Sequence, residues 1–263
     1  MFEFHEDKVR YFDMQYRTSK EYIIPFVSPH LNLQKSRNIL EIGCAEAGVL
    51  KAFVDAGHIC TGIELNQSRV EVAKSFLMKE IADGKVRIIN KNIFDIDDKV
   101  FDFKFDLIIL KDVIEHLPDQ QIFIRELKKL LKPNGFIFFG FPPWQMPFGG
   151  HQQICKSKIA AFLPYYHILP RFLYNGLLKI FGEKKDTINE LLEIKDFGIS
   201  IEKFERIAKH EGYQIVEETH FFINPIYKFK FNLNIRKQAK IITKIPYFRN
   251  YLTTAVYYLI KQA

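Results

Sequence analysis

The chain has 263 residues, of which 48% are hydrophobic and 26% are charged, and its formal net charge is +7. This composition is typical of a core-forming globular chain and excludes an intrinsically disordered protein. The charge is uneven, because Glu218 is the last acidic residue and eight Lys and Arg residues follow it. The remaining 30 basic and 31 acidic residues nearly cancel, so the basic excess belongs to the C-terminal segment.

The cysteine content and the N-terminal residues are used to predict the cellular compartment of the protein. Three cysteines without a CxxC spacing favour a reducing compartment and indicate neither a disulfide framework nor a zinc site. The first residues contain no basic segment followed by an apolar stretch, so we expect no signal peptide. The sequence contains no run of about 18 apolar residues, so we predict no membrane-spanning helix. We therefore expect a cytoplasmic protein.

The first half of the chain alternates predicted strands with predicted helices. Residues 1–35 are rich in aromatic and charged side chains and predict an N-terminal helical cap. Five strands follow, Asn38–Gly43, His58–Leu65, Val86–Asn90, Phe105–Leu110 and Phe136–Phe141. Short apolar runs that alternate with amphipathic helices are typical of an α/β fold, a parallel sheet with helices on both faces.

The alternation stops at Pro142 and resumes with a predicted helix at Ser200–His210 and a strand at Tyr213–Phe222. The intervening residues, about 142–199, are rich in aromatic residues and poor in serine, so we predict an insertion and not a linker. The main domain would then cover residues 36–225.

Residues 226–263 form a predicted basic C-terminal extension. Within it, Pro246–Ile260 carries apolar residues at helical spacing, so an amphipathic helix is predicted there. Such a helix packs on its own domain or on a second subunit, or it makes peripheral contact with a membrane of anionic lipid. The sequence leaves these alternatives and the oligomeric state open. We expect no nucleic-acid partner, because no binding motif accompanies the charge.

Three segments are expected to meet at the carboxyl edge of the sheet, where parallel sheets bind ligands. The turn within Leu40–Leu50 follows strand one, Glu64 ends strand two, and Lys111–His116 follow strand four. Glycine in the turn lets a ligand approach the next helix. The carboxylate of Glu64 can accept two hydrogen bonds from a ribose diol. A nucleoside cofactor is therefore predicted.

The chain resembles the class I S-adenosylmethionine-dependent methyltransferases in four ordered segments, EIGCAEAG, GIELN, FDLIILKDVIEHLPDQ and ELKKLLKPNGFIFFGFP. The likeness is greatest to the small-molecule branch that includes quinone-biosynthesis O-methyltransferases and sugar- or polysaccharide-modifying enzymes, and it covers about residues 36–142. It implies a Rossmann-like, doubly wound, mostly parallel seven-stranded sheet. It also implies an N-terminal helical lid and an insertion after strand five for the acceptor. The implied cofactor is S-adenosyl-L-methionine, with S-adenosyl-L-homocysteine as product.

The resemblance assigns cofactor contacts to nine residues, Glu41, Gly43, Ala45, Glu64, Leu65, Asn92, Ile93, Lys111 and Asp112. Those near strands one and four would line the methionyl end, Glu64 would bind the ribose, and the pair after strand three would flank the adenine. Ala45 and Ala47 stand where the family has glycine. An alanine forced into the left-handed region costs about 1–2 kcal/mol, so these residues leave the shape of the loop open.

A hydroxyl acceptor must lose its proton, and histidine suits that task at neutral pH. His116 follows strand four and His151 follows strand five, so both are predicted to be catalytic. Asp112 as the base, or no base at all, are the alternatives. No metal site is expected, because we find no further cluster of acids near these loops.

The predicted activity is methyl transfer to a small-molecule or saccharide acceptor, with oxygen as the favoured atom. Two alternatives remain. Gly43-x-Ala45-x-x-Gly48 has the spacing of a dinucleotide-binding turn, which would suit an NAD(P)-dependent oxidoreductase. A non-catalytic binding protein with the same fold is the other.

Overall fold

The computed structural model describes residues 7–96 and 100–263. The strands are β1 (Asn38–Ile42), β2 (Ile59–Glu64), β3 (Val86–Asn90), β4 (Phe105–Lys111), β5 (Leu131–Phe141), β6 (Tyr213–Ile223), β7 (Arg236–Lys237) and β8 (Ala255–Gln262). The α-helices are α1 (Lys8–Thr18), α2 (Ile24–Val27), α3 (Gly48–Asp55), α4 (Gln67–Phe76), α5 (Met78–Ala82), α6 (Gln120–Leu130), α7 (Lys158–Phe162), α8 (Arg171–Ile180), α9 (Lys185–Phe197), α10 (Ile201–His210), α11 (Ile226–Phe231), α12 (Lys240–Thr243) and α13 (Arg249–Leu252). A π-helical segment, Ser19–Ile23, joins α1 to α2.

The strands form one sheet in the order β3-β2-β1-β4-β5-β8-β6-β7. Strands β1 to β5 are parallel, whereas β8 runs antiparallel to both β5 and β6. Apolar cores lie on both faces, one beneath α6 and α10 and the other beneath α3 and α4. The predicted Rossmann-like, doubly wound α/β fold is confirmed. The described residues form eight strands instead of seven, because two residues, Arg236–Lys237, add an edge strand to β6.

The predicted strands match the observed ones closely except for β5. This strand begins at Leu131, which pairs with Phe105, and the register then shifts before Leu107 pairs with Phe136. Residues 132–135, which precede the predicted strand Phe136–Phe141, are therefore an irregular part of β5. A local Pro-Asn-Gly signal does not reveal that the flanking residues pair with the same neighbour.

The C-terminal segment differs most from the prediction. The amphipathic helix predicted for Pro246–Ile260 is wrong, since only Arg249–Leu252 is helical and Ala255–Gln262 is a strand. Its residues Ala255–Ile260 are buried on both faces of the sheet. A nearly continuous apolar run fits a helix with an apolar face as well as it fits a strand that is buried on both sides. The hydrophobic periodicity of this segment could therefore not distinguish a helix from a strand. Residues 226–263, assigned to an extension, thus contribute β7 and β8 to the sheet.

The insertion and residues 7–35 of the predicted N-terminal cap pack against the main domain, whereas residues 1–6 of the cap lie outside the described residues. Helices α7 to α9 enclose a separate apolar cluster that includes Tyr166 and Tyr174. The two ends of the insertion are joined by the Trp144 N–H, which donates to the Ile199 carbonyl at 2.9 Å. Helix α1 packs on α3 and α11. No helix within the described ranges is long and apolar enough to cross a membrane.

Candidate functional site

The turn after β1 requires glycine at position 43. Gly43 has a φ of +71°, and a Cβ there would lie 2.6 Å from Cγ2 of Val113. Its N–H and that of Cys44 both donate to the Ile63 carbonyl, at 2.8 and 3.1 Å. The turn is thereby fixed to the end of β2.

The two alanines of this turn, Ala45 and Ala47, both adopt the left-handed backbone conformation that is unfavourable for alanine. Ala45 has a φ of +48° and Ala47 a φ of +65°. Each conformation costs about 1–2 kcal/mol in an alanine. The Ala47 N–H donates to the Cys44 carbonyl at 2.7 Å, and its side chain is buried. The chain therefore keeps left-handed backbone at two positions where the family has glycine.

Glu64, at the end of β2, holds the same turn. One carboxylate oxygen accepts from the Ala45 N–H at 2.9 Å, and the other accepts from the Asn66 N–H at 2.8 Å. Each oxygen has a second acceptor position, so the carboxylate can still receive two hydrogen bonds from a ligand. Glu64 thus both shapes the turn and remains available at its edge.

Glu41 places a buried carboxylate under the turn. It is 3% exposed, and its Oε2 atom has no hydrogen-bond partner in the part of the chain that the structure describes. Burial raises the pKa of Glu41 well above its ordinary value, whereas Lys111 acts in the opposite direction. A buried acceptor without a partner is costly, and a cationic ligand would stabilise its charged form.

Lys111 and Asp112 form an ion pair where β4 ends. Asp112 has a φ of +56°, and its N–H donates to the Gly140 carbonyl at 2.7 Å. Burial alone would lower the pKa of Lys111, but Asp112, Tyr257 and Tyr11 together raise it above its ordinary value. The pair therefore offers a fixed cation and a fixed anion side by side.

These residues surround one crevice at the carboxyl edge of the sheet. Five of the predicted cofactor contacts line it, namely Glu41, Gly43, Ala45, Lys111 and Asp112. The cap covers it from the other side with Tyr11, Phe12 and Gln15. Lys8 of α1 pairs with the buried Glu46 of the turn at 2.8 Å, which fastens the cap to the loop. The predicted N-terminal lid thus lies over the crevice.

The other predicted cofactor contacts lie outside this lining. Glu64 reaches it only through the Ala45 N–H. Leu65 is exposed, and Asn92 caps a 3₁₀ turn by accepting from the Phe94 N–H at 3.1 Å. Ile93 lines a separate cavity against α6. The assignments of Leu65, Asn92 and Ile93 stay predictions.

The two predicted catalytic histidines lie together. The rings of His116 and His151 stack with centroids 4.7 Å apart and an interplanar angle of 23°. His116 ends a 3₁₀ turn, Ile114–His116, that follows Asp112 in the chain. His116 is exposed and His151 half-buried, so the pair is open to an incoming molecule at the edge of the sheet.

Two glycines explain how the loop after β5 places His151. A Cβ on Gly149 would lie 2.1 Å from the Trp144 carbonyl oxygen, and one on Gly150 would lie 2.5 Å from Cβ of His167. His167 in turn bonds to the Trp144 carbonyl oxygen at 2.8 Å. Burial lowers the pKa of His167 to about 4, so it is neutral and serves the loop as a hydrogen-bonding group.

Glu115 is a site residue that the sequence analysis missed. It is 4% exposed, and neither carboxylate oxygen has a hydrogen-bond partner within residues 7–96 and 100–263. Burial and the nearby Asp112 raise the pKa of Glu115 well above its ordinary value. Donor atoms of Glu115, His116 and His151 all lie within 4.8 Å of one another, close enough for a bound metal ion to be considered. The expectation of no metal site did not include Glu115, because an acid in an I-E-H-L segment resembles an exposed turn residue.

Asn90 was missed as well. Its side-chain amide donates to the carbonyls of Glu64 and Leu65, both at 2.9 Å, and so fixes the end of β2 against β3. An asparagine at the end of a predicted strand is a usable signal for such a contact, because parallel neighbours end at the same edge.

A family model and curated relatives match part of the chain. Residues 40–139 match a family model described as a methyltransferase domain. The chain is 32% identical over 106 residues to a ubiquinone biosynthesis O-methyltransferase of Coxiella burnetii, which covers 40% of this chain and 43% of that protein. The chain therefore spans less than half the length of this curated relative.

Solved structures agree on the fold. An S-adenosylmethionine-dependent methyltransferase from Clostridium acetobutylicum superposes with a TM-score of 0.57 at 13% identity, covering 94% of this chain and 92% of the other. Magnesium protoporphyrin IX methyltransferase from Synechocystis, solved with bound S-adenosylhomocysteine, gives a TM-score of 0.55 at 12% identity, covering 95% and 84%. Residues 40–139 therefore match a methyltransferase domain, and the solved structures share the fold of the chain, with a crevice at the carboxyl edge of its sheet.

Proposed function

We propose that the protein transfers a methyl group from S-adenosylmethionine to a hydroxyl oxygen of a small-molecule or saccharide acceptor. The observation that carries this proposal is the crevice in which Glu41, Lys111 and Asp112 meet the glycine turn, with the histidine pair following Asp112 in the chain. Oxygen is favoured because the curated relative is named as an O-methyltransferase.

The charges of the crevice fit the donor. S-adenosylmethionine carries an ammonium, a carboxylate and a sulfonium, and when bound it supplies an electrophilic methyl group whose C–S electron pair stays on sulfur. Lys111 would hold the carboxylate, while Asp112 and the unpartnered Oε2 of Glu41 would face the cationic groups. Glu64 would accept from the ribose hydroxyls.

The protein must also orient the acceptor and remove its proton. Most of the acceleration of such a displacement can come from holding donor and acceptor in line. The stacked His116–His151 pair assists the loss of the hydroxyl proton, a contribution that is typically worth about 10²–10⁴-fold in rate.

The donor assignment is tested by thermal unfolding with added ligands. S-adenosylhomocysteine at 100 times its Kd should stabilise the protein by about 2.7 kcal/mol, which raises Tm by several degrees. NAD at the same concentration should leave Tm unchanged. Stabilisation by NAD alone would instead favour the oxidoreductase. Labelled methyl transfer to catechols and to sugars, followed by mass spectrometry of the methoxyl product, then identifies the acceptor class.

We further propose that the protein contacts anionic membrane surfaces through residues 240–248, here called the C-terminal patch. Ile241, Tyr247 and Phe248 are exposed there beside the exposed Lys240 and Lys244. Exposed apolar side chains with adjacent lysines suit the interface of an anionic bilayer. The segment after Glu218 contains no acid, so its charge complements such a surface.

The patch continues onto the insertion. The Tyr165 hydroxyl donates to the Tyr251 carbonyl at 3.0 Å, which joins the two segments. Beyond this contact Phe162 and Phe172 are also exposed. The apolar surface is therefore shared by two parts of the chain.

Membrane contact is tested with vesicles, because truncation would also remove β8. A Lys240→Gln/Lys244→Gln variant should bind phosphatidylglycerol vesicles about 30-fold more weakly, at about 1 kcal/mol per lysine. Neutral vesicles and added salt should weaken binding of the unaltered protein. A Lys74→Gln/Lys79→Gln variant on the opposite part of the domain serves as the control. Equal binding by both variants would contradict the proposal.

A further inference from the structure

We propose that Glu115, His116 and His151 bind one divalent first-row transition-metal ion at the acceptor side of the methyltransferase crevice. Their ligand atoms lie within 4.8 Å of one another. The three residues come from two segments, the 3₁₀ turn after β4 and the loop after β5, and no other chemistry has been assigned to Glu115.

The buried carboxylate of Glu115 is the observation that points to a cation. It is 4% exposed, and neither oxygen has a hydrogen-bond partner among the described residues. A buried, unpaired carboxylate costs several kcal/mol unless a charge or a set of donors compensates it. Each of the two imidazole rings offers a ligand atom within 4.8 Å of this carboxylate, and a metal ion would link all three.

The ligand set and its spacing select the class of ion. Two imidazole nitrogens and one carboxylate oxygen suit Zn²⁺, Co²⁺, Mn²⁺ or Fe²⁺, whereas Mg²⁺ and Ca²⁺ favour oxygen ligands alone. Bonds of about 2.1 Å in a tetrahedral site place ligand atoms about 3.4 Å apart. The ligand atoms, all within 4.8 Å of one another, therefore need to close by at most about 1.4 Å, which side-chain rotation can supply.

The surrounding backbone holds these ligands in place. The His116 N–H donates to the Val113 carbonyl at 3.0 Å, and the His151 N–H donates to the Phe148 carbonyl at 3.2 Å. Gly149 and Gly150 permit the tight approach that delivers His151. Both ligand-bearing turns are thus defined by contacts that do not involve the ion.

The role of the ion rests on the proposed methyl transfer. A hydroxyl bound to the metal loses its proton to water more readily, because the cation stabilises the alkoxide or phenoxide. That oxygen then forms a bond to the methyl carbon while the C–S bond breaks and its electron pair stays on sulfur. In the metal-loaded protein the two histidines therefore act as ligands, and the ion takes over the activation of the hydroxyl.

Metal binding is tested on the full chain without a histidine tag, after removal of metal by a chelator. Isothermal titration with Co²⁺ should give one ion per chain, and visible absorption should report nitrogen and oxygen coordination. Glu115→Gln and His151→Ala should each weaken binding by about 100-fold or more, since even residues that only support a ligand cost 10–100-fold. Glu218→Gln is the control, because Glu205, Glu218 and His220 form a second cluster of possible ligands.

The outcomes separate the site from its role and from the proposed function. Absence of Co²⁺ binding, or binding that survives Glu115→Gln and is lost in Glu218→Gln, overturns the site. Methyl transfer that is unchanged in the chelated protein overturns the role of the ion. Chelated protein that still binds S-adenosylhomocysteine but loses transfer until Zn²⁺, Mn²⁺ or Co²⁺ returns supports both. Failure to bind S-adenosylhomocysteine at all would count against the proposed function and leave the Co²⁺ titration interpretable.

Discussion

A chain that ends at Thr254 is expected not to fold. Strand β8 lies between β5 and β6, and it pairs with both along most of its length. The side chains of Ala255–Ile260 are all buried. Burying one Val, Leu or Ile contributes about 1.5–3 kcal/mol, so loss of the strand removes on the order of 10 kcal/mol. Whole domains are stable by only about 5–15 kcal/mol.

The measurement is far-ultraviolet circular dichroism and thermal unfolding of the truncated chain. We expect insoluble protein, or a chain with no cooperative transition. A chain that lacks only Ala263 is the control, because it keeps both ladders and loses a single hydrogen bond from its N–H to the Gly212 carbonyl. A cooperative transition within a few degrees of the intact protein would show that the sheet does not depend on β8.

The same strand marks where sequence reasoning failed. Strands β1 to β4 were predictable because each is a short apolar run that ends at a polar or glycine residue before a helix. The run in β8 is equally apolar, but its partners β5 and β6 lie far away in the chain. No local sequence pattern predicts that β8 lies antiparallel between β5 and β6, because the tertiary fold determines that pairing.

The candidate site shows a similar division. The meeting of the three segments at the carboxyl edge could be predicted, because the carboxyl ends of parallel strands lie at the same edge of a sheet. The burial of Glu115 could not be predicted, because it depends on how helix α9 of the insertion packs against the 3₁₀ turn that carries Glu115. The contribution of Tyr11 and Gln15 to the crevice likewise depends on how α1 docks, which no periodicity specifies.

Replacing Glu64 with alanine is expected to weaken S-adenosylhomocysteine binding by about 10²–10⁴-fold. Each hydrogen bond to a charged group contributes about 1.5–3 kcal/mol, and the carboxylate can accept two from the ribose hydroxyls. The change also leaves the N–H groups of Ala45 and Asn66 without their acceptor. Because Ala45 is already in the left-handed region, the turn loses the bond that opposes its strain. Isothermal titration measures the affinity, and thermal unfolding shows whether the fold persists.

Two variants separate ligand binding from support of the turn. Glu64→Gln keeps the size of the side chain and one carbonyl acceptor, but its NH₂ group cannot accept from a backbone N–H. We expect its affinity to lie between those of the native protein and Glu64→Ala, with a smaller loss of stability. Glu71→Ala, on the exposed face of α4, should change neither quantity. If folded Glu64→Ala bound S-adenosylhomocysteine within twofold of the native protein, the carboxylate would only shape the turn, and the ribose contact would have to come from another residue at this edge of the sheet.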